Sequence, residues 1–402
     1  MSRRSGFEQY VLPGIVFQSV LIGGAYATGR EIVQYGARLG IAGLWSIAAI
    51  FAGFSLMCVL AFELARVTRT YDYRSFVRAL IGPLWPLFDA LFVVMAVLVI
   101  AVVGAASGDV VEGILGLPYW VGVVAVIVCV GVLNASGRGT IERFKTVGSV
   151  LLYGGYALFA GVVLSRRWGE VTAALSGAGP GAAPAAPAGV AAAANGSAGE
   201  VTVAAALAIG VLYVGYNLAT LPATFFVLDR QTARRQTVGA GLIAGVMATV
   251  PFVLTYLAVM AFYPDPEVLG ANVPWLEMLR RVGGERLLAL FALVIVWTLI
   301  ETSTGMIHAI VDRIAVNLAE TGRPPLSRGQ VGALTVTVLV LAALLSRLGL
   351  IELVARGYTA MAYGFLLLFA LPLLTVGVYR IVRAPGEQSP ATDPEPHGGP
   401  SG

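Results

Sequence analysis

The chain has 402 residues, 58% hydrophobic and only 12% charged, where soluble domains carry roughly a quarter charged residues, and its mean hydropathy is +0.84. That balance excludes an ordinary soluble enzyme and implies a polytopic membrane protein with the lipid bilayer as partner, since spanning about 30 Å of hydrocarbon takes ~20 apolar residues. The net charge of +4 lies in short basic clusters between apolar runs, a topology signal rather than a nucleic-acid-binding surface.

In chain order, residues 1–10 are short and basic, with Arg3 and Arg4 and no small-residue cleavage site, and are expected to form a cytoplasmic N-terminus. Apolar segments follow at 11–38, 41–65, 86–110, 119–136 and 146–165, with an interfacial helix expected at the stretch SFVRALIG before the third. Residues 166–200 are expected to form an external loop. Its low-complexity Ala/Gly/Pro stretch, 174–199, lacks the large apolar groups that a packed core needs, and the NGS at 195–197 is a chance match to a glycosylation pattern. Five more segments lie at 201–227, 237–263, 286–317, 329–346 and 350–382, the last long enough to require a tilt or a kink at Pro372. The Pro/Gly-rich residues 384–402 read as a disordered cytoplasmic tail.

Arginines set the orientation. Arg66, Arg69, Arg74 and Arg78 follow the second segment, Arg138, Arg143 and Lys145 the fourth, and Arg230, Arg234 and Arg235 the sixth; Arg313, Arg323 and Arg328 follow the eighth, and Arg380 and Arg383 close the tenth. Ten spans with both termini in the cytoplasm place every cluster on one side. The fold class expected is therefore an all-α integral membrane protein of ten transmembrane helices. The loop divides them into halves at 11–165 and 201–383, and five spans per half is the topological condition for a 5+5 inverted repeat.

Each half opens on an interrupted segment. The first is broken between Gly23-Gly24 and Gly29, the sixth by Gly215, Asn217, Thr220 and Pro222, and alignment puts Gly24 opposite Gly215. Small residues can also serve close helix packing. A matched pair of interruptions points instead to discontinuous helices 1 and 6 lining a binding cavity. A half-helix starting near Ala25 to Gly29 would offer N–H groups to a carboxylate, and the one ending near Gly23 would offer carbonyl oxygens to a cation. With Tyr216 and Asn217 as side-chain partners, such a cavity suits a zwitterion such as an amino acid.

Charged residues at membrane depth are costly and tend to be functional. Arg30 and Glu31 follow the first break, and Glu301 lies midway along the eighth segment, with His308 two turns below it. Arg30 is expected to pair with Glu301, to meet Glu31 of a neighbouring protomer, or to act as an external gate; Glu301 is alternatively a carrier of a coupling proton. Glu63, Asp89 and Asp109 sit near segment ends and read as interfacial. Thr302, Ser303 and Thr304 either complete an oxygen shell for a small cation or bond to carbonyls one turn back. No HExxH, GxSxG, Walker loop or Cys/His cluster is present, so no enzyme and no cofactor is expected, and Cys58 and Cys129 read as small buried hydrophobes. No feature fixes an oligomeric state.

This arrangement resembles the leucine-transporter (LeuT) fold of the amino acid–polyamine–organocation (APC) superfamily, and GGAYATGREI near the N-terminus resembles the YkvI-like family of bacterial membrane proteins. The likeness spans residues 11 to about 382, loop excluded. It implies alternating access between a moving bundle (segments 1, 2, 6 and 7) and a scaffold (3, 4, 5 and 8). Gly23, Gly24, Ala25, Tyr26, Ala27, Thr28 and Gly29, and Val214, Gly215, Tyr216, Asn217 and Thr220, match the unwound substrate-binding stretches. Leu299, Thr302 and Ser303 match ligands of a Na+ site in sodium-coupled relatives, completed by carbonyls near Val20 and Gly23. Proton-coupled relatives place a lysine on the fifth helix, and Lys145 falls early for that role. The aromatic lid that many relatives carry on the third helix is replaced here by small residues, VVGAASGDV. The function implied is a secondary transporter of a small zwitterionic or amine-bearing solute coupled to Na+ or H+. The alternatives are a transport-inactive sensor, as in germinant-receptor subunits that resemble this superfamily, and a passive channel.

Overall fold

A computed structural model of the chain describes residues 6–135, 138–177 and 201–384, with side chains for all of these except residues 25, 135 and 138–150. The N-terminal arginines, Lys145's side chain, most of the expected external loop and the C-terminal tail lie outside what is described.

The first apolar run folds in pieces. After a short helix at Gly6–Tyr10, α1 (Leu12–Leu21) carries Pro13 in its first turn, where a missing N–H costs nothing, and ends at an extended Ile22 (φ −84°, ψ 94°). Gly24 (φ 53°, ψ −127°) and Gly29 (φ 84°) adopt backbone conformations that side-chain-bearing residues avoid. Between and after them stand α2 (Ala25–Thr28) and α3 (Arg30–Tyr35). The helix break expected at Gly23 to Gly29 is therefore present. The expected long half-helix beyond it is not: α2 has four residues and α3 six, so little dipole accumulates at either start.

A 3₁₀ stretch, Ala37–Ala42, leads into α4 (Gly43–Thr68). The interfacial helix is α5 (Tyr73–Ile81), capped by the Asp72 carboxylate, which accepts from the Ser75 N–H at 2.9 Å. Next come α6 (Trp85–Leu115), α7 (Tyr119–Ala135) and α8 (Arg138–Leu175). α8 kinks at Arg167 (φ −132°, ψ 30°) and runs on to Leu175, so the stretch after 165 expected to be loop begins as helix.

In the second half, α9 (Val203–Asn217) is followed by a 3₁₀ stretch, Leu221–Arg230, bent 68° away from it. The sixth segment is thus broken, but at 218–220 and not from 214. Val214, Gly215, Tyr216 and Asn217 lie inside α9, and Gly215 serves packing: a Cβ there would stand 2.9 Å from Leu366 Cγ and 3.1 Å from the Ala362 carbonyl oxygen. The chain continues through α10 (Arg234–Met260), the short α11 (Pro266–Gly270) and α12 (Pro274–Val282), then α13 (Gly284–Glu320), α14 (Arg328–Ser346) and α15 (Leu350–Arg383). Pro372 does not kink α15 sharply; wide π turns at Leu353–Tyr358, Leu366–Ala370 and Leu373–Gly377 absorb the irregularity.

Among the described residues six helices are long and apolar enough to cross a bilayer, or seven if the bent pair at Val203–Asn217 and Leu221–Arg230 is one span. Large apolar side chains such as Trp45, Val124, Val128, Leu344 and Leu367 point outward. The chain is a multi-pass membrane protein. Both thiols are free: Cys58 is buried, while Cys129, expected inside, sits on the outward face of α7.

The interior rests on close contact between α4 and α10. Gly241 and Gly245 stand one turn apart on α10, where a Cβ would come within 2.6 Å of the Val59 nitrogen and 2.9 Å of Ser55 Cα respectively. The obstacles are backbone atoms, which cannot rotate away. Gly241→Leu should therefore cost at least the 1–3 kcal/mol typical of overpacking and remove the monodisperse peak in size-exclusion chromatography. An unchanged profile would show that the two helices can separate.

Candidate functional site

The broken first helix meets α13. Gly24 N–H, which a continuous helix would direct at the Val20 carbonyl, donates instead to Thr302 Oγ1 at 3.3 Å. Thr302 Oγ1 in turn donates to the Thr298 carbonyl at 2.9 Å. Thr298 and Thr304 likewise bond one turn back, to Val294 and Ile300. Approach is tight here: a Cβ on Gly23 would sit 2.5 Å from Thr302 Oγ1. Leu299 is fully buried nearby in sequence, and the Ser303 hydroxyl is buried without a protein partner. The structure thus joins Gly23 and Gly24 to Thr302, while Thr302 already uses its hydroxyl in two hydrogen bonds.

One side of this break is open. A cavity of about 640 Å³ runs from Ile22, Ala219 and Thr220 along α1 and α13. Val20, Glu301, Thr302 and His308 line it, and Tyr73, Asp312 and Arg313 stand at its far end. Glu301 and His308 share a wall, as their spacing implies. The end bearing Arg313 is the arginine-rich side of the molecule.

The other side is sealed. Arg30 is fully buried, and its Nη1 donates to the Leu269 and Ala271 carbonyls, at 2.9 and 3.0 Å, in the connection between α11 and α12. Its Nε and Nη2 are buried without partners. Arg30 therefore bonds to the carbonyls at the end of α11 and not to Glu301, which corrects the expected pair. The Arg30 amide itself donates to the Thr28 hydroxyl at 3.1 Å.

Next to Arg30, Glu31 is 4% exposed, and among the described residues it is in no ion pair. Its Oε2 accepts from Tyr216 Oη at 2.6 Å. Tyr216 packs on Tyr35, Tyr213 and Tyr358, with ring centroids 5.5, 5.5 and 4.8 Å apart. Tyr26 packs on Tyr156, whose hydroxyl donates to the Tyr26 carbonyl at 2.9 Å, and Tyr156 meets Trp275 edge-on at 5.7 Å. Tyr358 also reaches the break, since a Cβ on Gly24 would lie 3.9 Å from its hydroxyl. The aromatic cover absent from the third helix is thus supplied by α8, α9 and α15. Tyr35, Tyr156, Tyr213, Tyr358 and Trp275 were not foreseen; the only local hint was the i, i+3 spacing of Tyr213 and Tyr216. Ala27 and Thr28 are buried, and Asn217 Nδ2 is spent on the Tyr213 carbonyl at 2.9 Å. Thr220 Oγ1 donates to the Asn217 carbonyl at 2.7 Å and borders the cavity.

Of the carboxylates near segment ends, Glu63 and Asp89 are buried within the protein and Asp109 is partly buried. Asp89 accepts from Arg313 Nη1 at 2.7 Å and Arg74 Nη2 at 3.2 Å. Glu63 takes Arg66 at 2.7 Å and the Thr237 hydroxyl at 2.6 Å. Asp109, near the sealed side, accepts from Asn272 at 3.1 Å.

No family model and no curated protein sequence matches the chain. Among solved structures, a Na+-coupled sialic acid symporter in a substrate-bound outward-open state superposes with a TM-score of 0.57 at 14% identity, over 94% of this chain and 79% of that one. A manganese transporter of Eremococcus coleocola gives 0.55 at 14% identity, over 94% and 84%. At this identity the likeness is one of fold, and it extends over nearly the whole chain.

Proposed function

We propose that the protein is a secondary active transporter that moves a small zwitterionic or amine-bearing solute, an amino acid first, across the cell membrane by alternating access. The observation that carries this reading is one-sided access to the break at Gly23 and Gly24: a cavity reaches it from the arginine-rich side, while Arg30, Glu31 and a tyrosine cluster close the other. A channel would need both sides open at once. The positive-inside bias makes the open side cytoplasmic, with both termini on it. On this reading the ten segments form two inverted halves, 11–165 and 201–383, related across the membrane plane. That two transporters share the fold supports the assignment, and membership of the YkvI-like family rests on the GGAYATGREI motif alone.

Solute groups would be held at the break. The unpartnered donors of Arg30 suit a carboxylate, and the Val20 carbonyl, released by Gly24, suits an ammonium or Na+. Counterflow in proteoliposomes loaded with amino acids tests the proposal: a transporter accelerates exchange of labelled solute, a sensor binds without flux, and a channel conducts without exchange. Expected is accelerated exchange, and its absence for every amino acid and simple amine overturns the reading. Replacing Na+ by choline at fixed pH separates the coupling ions. Lost uptake assigns a Na+ site at Val20, Gly23, Leu299, Thr302 and Ser303; retained uptake assigns protons.

A further inference from the structure

We propose that Glu31, and not Glu301, is the proton-binding site of the transport cycle; the inference rests on the transport reading above. Glu301 stands on the wall of the open cavity, within reach of solvent. Glu31 is 4% exposed, is not among the residues that line that cavity, and among the described residues has no cationic partner. An uncompensated charge at that depth costs several kcal/mol, whereas a neutral carboxyl is satisfied by the hydroxyl that touches it.

Among the described residues, the titratable groups facing Glu31 are phenols and a guanidinium, so it is the carboxyl of this cluster. Its own segment presents Tyr26, Arg30 and Tyr35, α8 presents Tyr156, α9 presents Tyr213 and Tyr216, and α15 presents Tyr358. Free tyrosine and arginine titrate at about 10 and above 12, far from physiological pH. Arg30 is held by the Leu269 and Ala271 carbonyls, and Arg38, the next cation along the chain, reaches Gln34 at 3.4 Å. Among the described residues no histidine faces Glu31; His308 lines the cavity instead.

The arrangement also gives the proton two exits. When the Arg30 contacts part, external water reaches Glu31. In the conformation described, phenols lie between it and the break: Tyr216 Oη touches the carboxyl, its ring packs on Tyr358 at a tilt of 41°, and the Tyr358 hydroxyl lies 3.9 Å from where a Cβ on Gly24 would stand, Gly24 itself being bonded to cavity-lining Thr302. Loading adds one proton to the carboxylate from outside, which permits closure; release returns it to cavity water. Coupling is then to protons, and uptake survives replacement of Na+ by choline.

Infrared spectroscopy of the full-length protein in liposomes tests this without knowledge of the solute. At neutral pH the wild type should show the carbonyl stretch of a neutral carboxylic acid, absent in Glu31→Gln and displaced in Tyr216→Phe. In D2O the band should shift as the proton exchanges, and more slowly in Tyr358→Phe. A wild-type spectrum matching that of Glu31→Gln in this region overturns the proposal, even if counterflow succeeds. Where counterflow succeeds, Glu31→Gln should keep exchange and lose accumulation driven by a pH gradient; accumulation that persists overturns it as well. Failure of counterflow in the wild type, with the band present, would instead sink the transport reading.

Discussion

Asp89→Asn should lower the thermal midpoint of the detergent-solubilised protein sharply, through the loss of a single charge. Asp89 is 9% exposed and bridges two arginines from different elements, Arg74 of α5 and Arg313 of α13. Arg74 also holds Asn317 and Glu320, at 2.6 and 2.8 Å, so the amphipathic helix is fastened to α6 and α13 through one network. The Arg313 guanidinium lies over the rings of Phe92, at 3.7 Å, and Tyr73, at 4.1 Å, which further removes it from water. Neutralising Asp89 takes its ion pair from buried Arg313, while Arg74 keeps Glu320, and breaking a buried pair from one side costs about 3–5 kcal/mol. Two comparisons isolate the mechanism. Glu320→Gln removes a more exposed member of the same network and should lower the midpoint far less. The double variant Asp89→Leu with Arg313→Leu removes both charges and should recover part of the loss. Equal midpoints for Asp89→Asn and the wild type would show that the arginines find other partners.

That network also shows what a sequence reveals and what it hides. Helix existence and most helix ends were readable because hydrophobic runs and their Pro, Gly and Arg punctuation are local. The first break was readable for the same reason: Gly23, Gly24 and Gly29 sit together, and two of them have positive φ. The second break was displaced because Gly215 and Pro222 carry the same local signal for different reasons. Gly215 admits Leu366 of α15, while Pro222 stands in the first turn of the 3₁₀ stretch after the break. Asp89's place near a segment end was visible, but its two arginine partners on other elements were not. The tyrosine cluster needed residues 26, 35, 156, 213, 216 and 358 to converge, and no spacing encodes that. Arg30 was singled out, but its acceptors are backbone carbonyls of a distant loop, which any residue type supplies.

Gly24→Ala should depress transport by one to two orders of magnitude without loss of folded protein, and Gly24→Leu should abolish it. The two substitutions separate backbone strain from bulk. At φ 53°, ψ −127° only glycine is at ease, and a side chain there costs of order 1–3 kcal/mol. Space itself is not limiting for one carbon: the nearest atoms to an added Cβ are Val99 Cγ1 at 3.5 Å, Thr302 Cγ2 at 3.9 Å and the Tyr358 hydroxyl at 3.9 Å. The alanine variant therefore tests whether the cycle needs this backbone conformation, since a strain of that size shifts a two-state equilibrium by about 5- to 150-fold. Leucine adds three carbons directed at Val99, Thr302 and Tyr358, the walls of the site between break and cluster. The control is Gly154→Ala on the exposed face of α8, where an added Cβ meets nothing within 4 Å and helix propensity improves. Counterflow rates, normalised to the amount of monodisperse protein, read the outcome. Wild-type rates in Gly24→Leu would mean that solute passes elsewhere. A normal alanine variant beside a dead leucine variant would mean that volume at the break matters and its backbone strain does not.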